Sequence, residues 1–96
     1  MVVGVCHLII EIPEAHSLKD KRHVVKSLTQ RVSARFNVSI AEVDDLDLWG
    51  SAGIGIVAVS NSTRHVDDML NTVLRFVEDN LRDGFLADVH TEILHV

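Results

Sequence analysis

The chain has 96 residues, 47% hydrophobic and 24% charged, with nine Lys/Arg against fourteen Asp/Glu and a formal charge of −5. This is ordinary composition for one globular domain, and no apolar run approaches the ~20 residues of a membrane span. An acidic chain does not coat nucleic acid indiscriminately, and lone Cys6 excludes an internal disulfide and suits a reducing cytosol.

Residues 2–12, "VVGVCHLIIEI", are β-branched and apolar on both faces and stop at Pro13, which predicts a central strand with Cys6 as a small buried hydrophobe. The opening stretch has no basic n-region and no small-residue cleavage site, so it does not read as a signal peptide. Ser17, with Asp20 three residues later, reads as a helix cap. Leu18, Val25, Leu28, Val32 and Phe36 then recur at helical spacing, with Val24 alongside, so a helix runs from Leu18 to near Phe36. "NVSIAEVD" (37–44) alternates as a strand, and "DLDLWG" (45–50) is a loop of acids and bulky apolar residues closed by Gly50. "SAGIGIVAVS" (51–60) is a second apolar strand, where Gly53 and Gly55 leave room for another backbone to approach. "NST" (61–63) is turn and cap chemistry. Between Arg64 and Leu81, Val66, Met69, Leu70, Val73, Val77 and Leu81 share one helical face, and Gly84 is placed to end the helix as its C′ residue. Residues 85–96 alternate, with Phe85, Ala87, Val89, Thr91 and Ile93 on one side and Asp88, His90 and Glu92 on the other.

The order is β-α-β-β-α-β, an α+β domain of ferredoxin-like type spanning residues 1–96. Right-handed crossovers predict a four-stranded antiparallel sheet with the first and third strands in the middle and both helices on one face. "SLKDKR" (17–22), "RFNVSIAEVD" (35–44), "DLW" (47–49) and "VSN" (59–61) followed by Arg64 and His65 resemble the YlxP-like family of small bacterial proteins, a domain of unknown function. The resemblance runs nearly end to end. It implies the same fold, a cytosolic protein, and a gene placed among those for transcription termination, translation initiation and ribosome maturation; it implies no activity.

Charge is segregated. Between His16 and Phe36 lie six cations (Lys19, Lys21, Arg22, Lys26, Arg31, Arg35) and one acid, Asp20, a local net of +5; the remainder carries three cations and thirteen acids, a net of −10. Lys19, Lys21 and Arg22 fall in the first helical turn, where the dipole disfavours cations by roughly 0.3–1 kcal/mol each. Free backbone N–H groups beside cations suit a phosphate oxygen. The expected function is therefore a non-enzymatic, RNA- or ribosome-associated protein of bacterial translation, cytoplasmic. Lys19, Lys21, Arg22 and Lys26 contact phosphates, Arg31 and Arg35 extend the footprint, and Arg64 and His65 join from the second helix. The competing reading of the same charges is internal neutralisation by Glu11 and Glu14.

The sheet face without helices carries Val3, Val5 and Ile9 beside Asp88, His90 and Glu92, which predicts a homodimer through a sheet face or edge. The alternative function follows: a homodimeric interaction module docking an acidic partner protein on its basic helix. The chain has no Tyr and its central strands offer no aromatics, so base stacking of the RRM kind is not expected. His7 and His90 face each other in the expected sheet with Glu92 nearby, but no metal-binding spacing accompanies them. The "EVDDLDLW" acids lack calcium-loop spacing, G-I-G lacks the rest of a nucleotide fingerprint, and no Ser/His/Asp triad is readable. No cofactor, metal, membrane or small-molecule ligand is expected. Trp49, with Leu46 and Leu48, is expected to fold under the loop as a core or interface plug.

Overall fold

The computed structural model describes residues 1–96 as β1 (Val2–Glu11), α1 (Leu18–Arg35), β2 (Ser39–Asp44), β3 (Ser51–Ser60), α2 (Thr63–Asn80) and β4 (Phe85–His95). The strands form one antiparallel sheet in the order β2-β3-β1-β4, so the first and third strands are central as expected. Both helices cover one face of this ferredoxin-like α+β fold. No helix is long and apolar enough to cross a membrane.

Strict alternation along β1 produces this layering. Val2, Cys6, Leu8 and Ile10 are buried beneath the helices, whereas Val3, Val5, His7, Ile9 and Glu11 are half-buried on the open face. Ala52, Ile54, Ile56 and Ala58 of β3 complete the buried layer, and Val66, Leu70, Val73 and Val77 of α2 pack down onto it. Each of the fully buried Leu and Ile side chains contributes roughly 1.5–3 kcal/mol by leaving water. The corresponding face of α1 is Lys21, Val25, Leu28 and Val32, at spacings of four, three and four residues. A lysine thus heads an otherwise apolar stripe.

Two expectations are corrected here. The β1–β4 register shifts between Ile9 and Ile10, leaving Ala87 as an extra residue. A one-residue bulge moves every residue beyond it to the opposite face. Leu86 therefore packs against the core, and Phe85 stands exposed beside Glu11 on the open face, away from Val89. Gly84, expected as a left-handed helix terminator, is not one: α2 ends at Asn80 with Leu81 extended, and no glycine has positive φ. Gly84 is instead a close-approach position, where a Cβ would lie 2.5 Å from the Glu11 carbonyl oxygen.

Candidate functional site

The start of α1 is held by reciprocal capping, as its sequence predicts. Ser17 Oγ accepts from the Asp20 N–H at 3.1 Å, and Asp20 Oδ2 accepts from the His16 N–H at 3.0 Å. Lys21, expected on the phosphate-contacting surface, is not on the surface at all: its relative exposure is 0%. Its ammonium donates to the carbonyls of Asp45 (2.7 Å), Leu46 (3.2 Å) and Ser51 (3.4 Å), and Glu42 Oε2 lies 2.8 Å away. Three N–H bonds thus meet three carbonyls, and the carboxylate supplies the counter-charge as an ion pair without a well-aligned hydrogen bond. The physical reason is angular: residue 21 lies in line with Val25, Leu28 and Val32, so its stem enters the core.

Arg31 and Arg35 do not extend the outer basic flank either. Arg31 Nη2 donates to the Asn80 carbonyl at 2.7 Å, closing the end of α2, while its Nε is buried without a partner. The Arg35 guanidinium stacks 5.1 Å from the centre of the Phe76 ring, which Phe36 meets edge-on at 5.4 Å. At 3.6 residues per turn these two arginines sit on the flank facing α2, nearly opposite Arg22 and Lys26. Arg64 and His65 are also separate. β1 and β3 pair Val2 with Ser60 and Glu11 with Ser51, so α1 departs from one end of the sheet and α2 from the other, ~30 Å apart. Arg64 is fully solvated, 3.9 Å from Asp68 one turn on.

What remains is a line of three exposed cations, Lys19, Arg22 and Lys26, continued by Gln30 and Ser33 on the outer side of α1. None of the three has a carboxylate within 4 Å; the chain's ion pairs are Lys21–Glu42, His7–Asp44 and Arg64–Asp68. Neutralisation by Glu11 and Glu14 is therefore not formed. The only acid of α1, Asp20, points away from that side of the helix, so the positive line is continuous over the ~10 Å from Lys19 to Lys26.

His7 does face His90 across β1 and β4, but Glu92 lies opposite Val5. The His7 ring meets a group that sequence reasoning missed: its Nε2 is 2.7 Å from Asp44 Oδ2, two strands away. The register of β2 shifts between Glu42 and Asp44, and Asp44 then crosses β3 above Gly53, where a Cβ would lie 2.5 Å from its own Cβ. No three His, Cys, Asp or Glu side chains are grouped to hold a metal ion. Cys6 is buried; desolvation raises its thiol pKa, and the Thr91 hydroxyl donating to Sγ at 3.7 Å opposes the rise.

The 45–50 loop does not fold its apolar side chains under. Leu46, Leu48 and Trp49 are each more than half exposed. The loop is anchored through its backbone instead, by Lys21, by Ile12 N–H to Gly50 O at 2.8 Å, and by a left-handed Asp45 with φ 60°. Trp49→Ala is accordingly expected to change stability by no more than about 0.5 kcal/mol in a urea melt. The indole of the parent chain should fluoresce at the long wavelength of a solvated tryptophan.

Residues 3–91 match the family model described as Protein of unknown function (DUF503). The chain is 43% identical over 67 residues to the "Uncharacterized protein YlxP" of Bacillus subtilis (strain 168), covering 70% of this chain and 73% of that protein. Among solved structures it is similar to a de novo designed protein with ferredoxin fold, with a TM-score of 0.53 and 15% identity, covering all of this chain and 87% of the design. That last likeness concerns the fold alone.

Proposed function

The chain belongs to the DUF503 family, and from that premise we propose that it is a non-enzymatic binding protein of the bacterial cytoplasm that takes RNA phosphates, free or ribosomal, on Lys19, Arg22 and Lys26. One observation carries the reading: these are unpaired cations on one exposed line of an acidic protein whose Lys21 and Arg31 are engaged inside the fold and whose Arg35, though exposed, stacks on Phe76 away from that line. Three such groups beside the positive end of α1 make charge-assisted contacts with successive phosphate oxygens. Contacts of this kind position a partner and read no bases. The central strands β1 and β3 carry no Phe, Tyr or Trp, so they offer no platform for base stacking of the RRM kind; the one aromatic on the open face is Phe85, on the edge strand β4.

The test is co-sedimentation with RNA and with ribosomal subunits at rising salt, comparing the parent chain with Lys19→Glu/Arg22→Glu/Lys26→Glu. Three phosphate contacts at ~0.7 ion each set a log–log salt slope near −2, so a fourfold rise in salt weakens binding about twentyfold. The triple variant should lose binding at every salt concentration while keeping the parent melting curve. Undiminished binding by that variant overturns the proposal, and binding that survives ribonuclease assigns the line to an acidic protein instead. Lys21 is unsuitable for this comparison, because reversing a buried charge unfolds the domain rather than reporting on RNA.

A further inference from the structure

The two edges of the sheet are unlike. β2 has six residues and an irregular register, and it runs directly into the anchored 45–50 loop. β4 has eleven residues, no Pro and no Lys, packs on β1 and α2 alone, and is exposed at every position but Leu86 and Ile93. Its outer backbone N–H and C=O groups form an open template for another strand. We infer that β4 pairs antiparallel with β4 of a second copy of this chain, about a two-fold axis at Thr91, to make one continuous eight-stranded sheet. The inference is independent of the RNA reading.

Charge selects the occupant and the register. The bulge at Ala87 confines regular pairing to residues 88–95, whose middle lies beside Thr91. With the axis at Thr91, His90 lies opposite the partner's Glu92 on the open face, and the symmetry repeats the pair; on the helix side Val89 covers the partner's Ile93. An axis at His90 sets Asp88 against the partner's Glu92, and one at Glu92 sets the two glutamates against each other. Like charges directly opposite are destabilising, opposite ones stabilising. An axis at Val89 pairs Asp88 with the partner's His90 but places the bulge against the partner's Thr91, inside the ladder. The Thr91 axis alone sets each Glu92 carboxylate opposite an imidazole that can donate a hydrogen bond to it, rather than opposite another carboxylate, and keeps a regular ladder.

A second feature fits the same placement. Beside the outer edge of β4, under the end of α2, lies an open groove of about 540 Å³ lined by Glu78 and residues 84–89. The Thr91 axis ends the regular ladder with Asp88 opposite the partner's Leu94, so the end of the partner's strand reaches the mouth of this groove. The eight-stranded sheet keeps both α1 helices on one side, six strand spacings or about 30 Å apart.

Sedimentation equilibrium of the full chain at micromolar to sub-millimolar concentration should give twice the 10.7 kDa chain mass. His90→Glu, an exposed change that should leave the melting curve intact, is expected to weaken association roughly tenfold or more by setting Glu against Glu twice. The exchange His90→Glu/Glu92→His should restore it. In a Cys6→Ala background, Thr91→Cys should form a symmetric intermolecular disulfide under mild oxidation, since directly opposite strand residues lie within disulfide reach. A monomer across that range overturns the inference. So does a dimer that is indifferent to His90→Glu, fails to cross-link through residue 91, and dissociates on Val57→Asp or Val59→Asp, which would move the contact to the open sheet face.

Discussion

Replacing Lys21 with methionine is expected to cost about 3–5 kcal/mol, because one partner of a buried ion pair is removed and the other remains. At ~4–8 °C per kcal/mol for a domain of this size, the melting temperature should fall by tens of degrees. Methionine fills the path of the stem but supplies no donor. The Glu42 carboxylate, whose side chain is 14% exposed, then has no counter-charge, and the carbonyls of Asp45, Leu46 and Ser51 lose their N–H partners. Lys21→Met/Glu42→Met should recover part of the loss, since an apolar pair of similar volume relieves the stranded charge. Recovery should stay incomplete, because the three carbonyls remain unpaired in both variants. Thermal and urea melts of the four proteins of this cycle give the coupling directly. A Lys21→Met loss below about 1 kcal/mol would show that water reaches the carboxylate and that the pair is not buried in solution. Partial proteolysis should then also separate the two cases: only in the stranded-charge case does the 45–50 loop become a cleavage site.

Lys21 also shows where sequence reasoning reaches and stops. Its place in line with Val25, Leu28 and Val32 is legible from spacing alone, and a lysine heading a buried stripe demands an acid and acceptors. Which acid is not legible, because Glu42 is brought there by the pairing of β2 with β3 and Lys21 is one helix away. The six elements, the central strands and the capping of α1 were legible because each rests on a local period or a local stop signal. The separation of Arg64 from α1 was contained in the expected topology: antiparallel central strands necessarily send their two helices off from opposite ends. The turn of Arg31 and Arg35 toward α2 follows likewise from their angle on the helix. The bulge at Ala87 and the contact of His7 with Asp44 were not legible. Both depend on a one-residue slip, which the hydrophobic pattern does not specify on a strand exposed along most of its length.

The glycines supply the second large effect, and its sign is decided by what a methyl group would meet. Alanine in place of a strand glycine ordinarily stabilises by roughly 0.5–1 kcal/mol, through the lower entropy of the unfolded chain. Gly4→Ala should do the reverse and cost about 1–3 kcal/mol, or roughly 5–20 °C in melting temperature. Gly4 lies on the helix face, where a Cβ would overlap Val66 Cγ1 and lie 2.8 Å from Leu70 Cδ1. Both neighbours are buried on the sheet-facing side of the first half of α2, and Val66 is β-branched with one favoured rotamer, so relief requires α2 to lift from the sheet. Gly55, on the other face of the sheet, gives the control. A Cβ there meets Val43 Cγ1 at 3.2 Å, but Val43 is half exposed on the short edge strand beside a register shift and can give way. Gly55→Ala should therefore be neutral or stabilising by up to about 1 kcal/mol. Neither position needs positive φ, so backbone strain does not enter the comparison. Equal and small effects at the two sites in calorimetry would mean that α2 sits farther from β1 than the close approach at Gly4 requires. A large loss confined to Gly4 locates the tight packing on the helix face and leaves the open face free to yield.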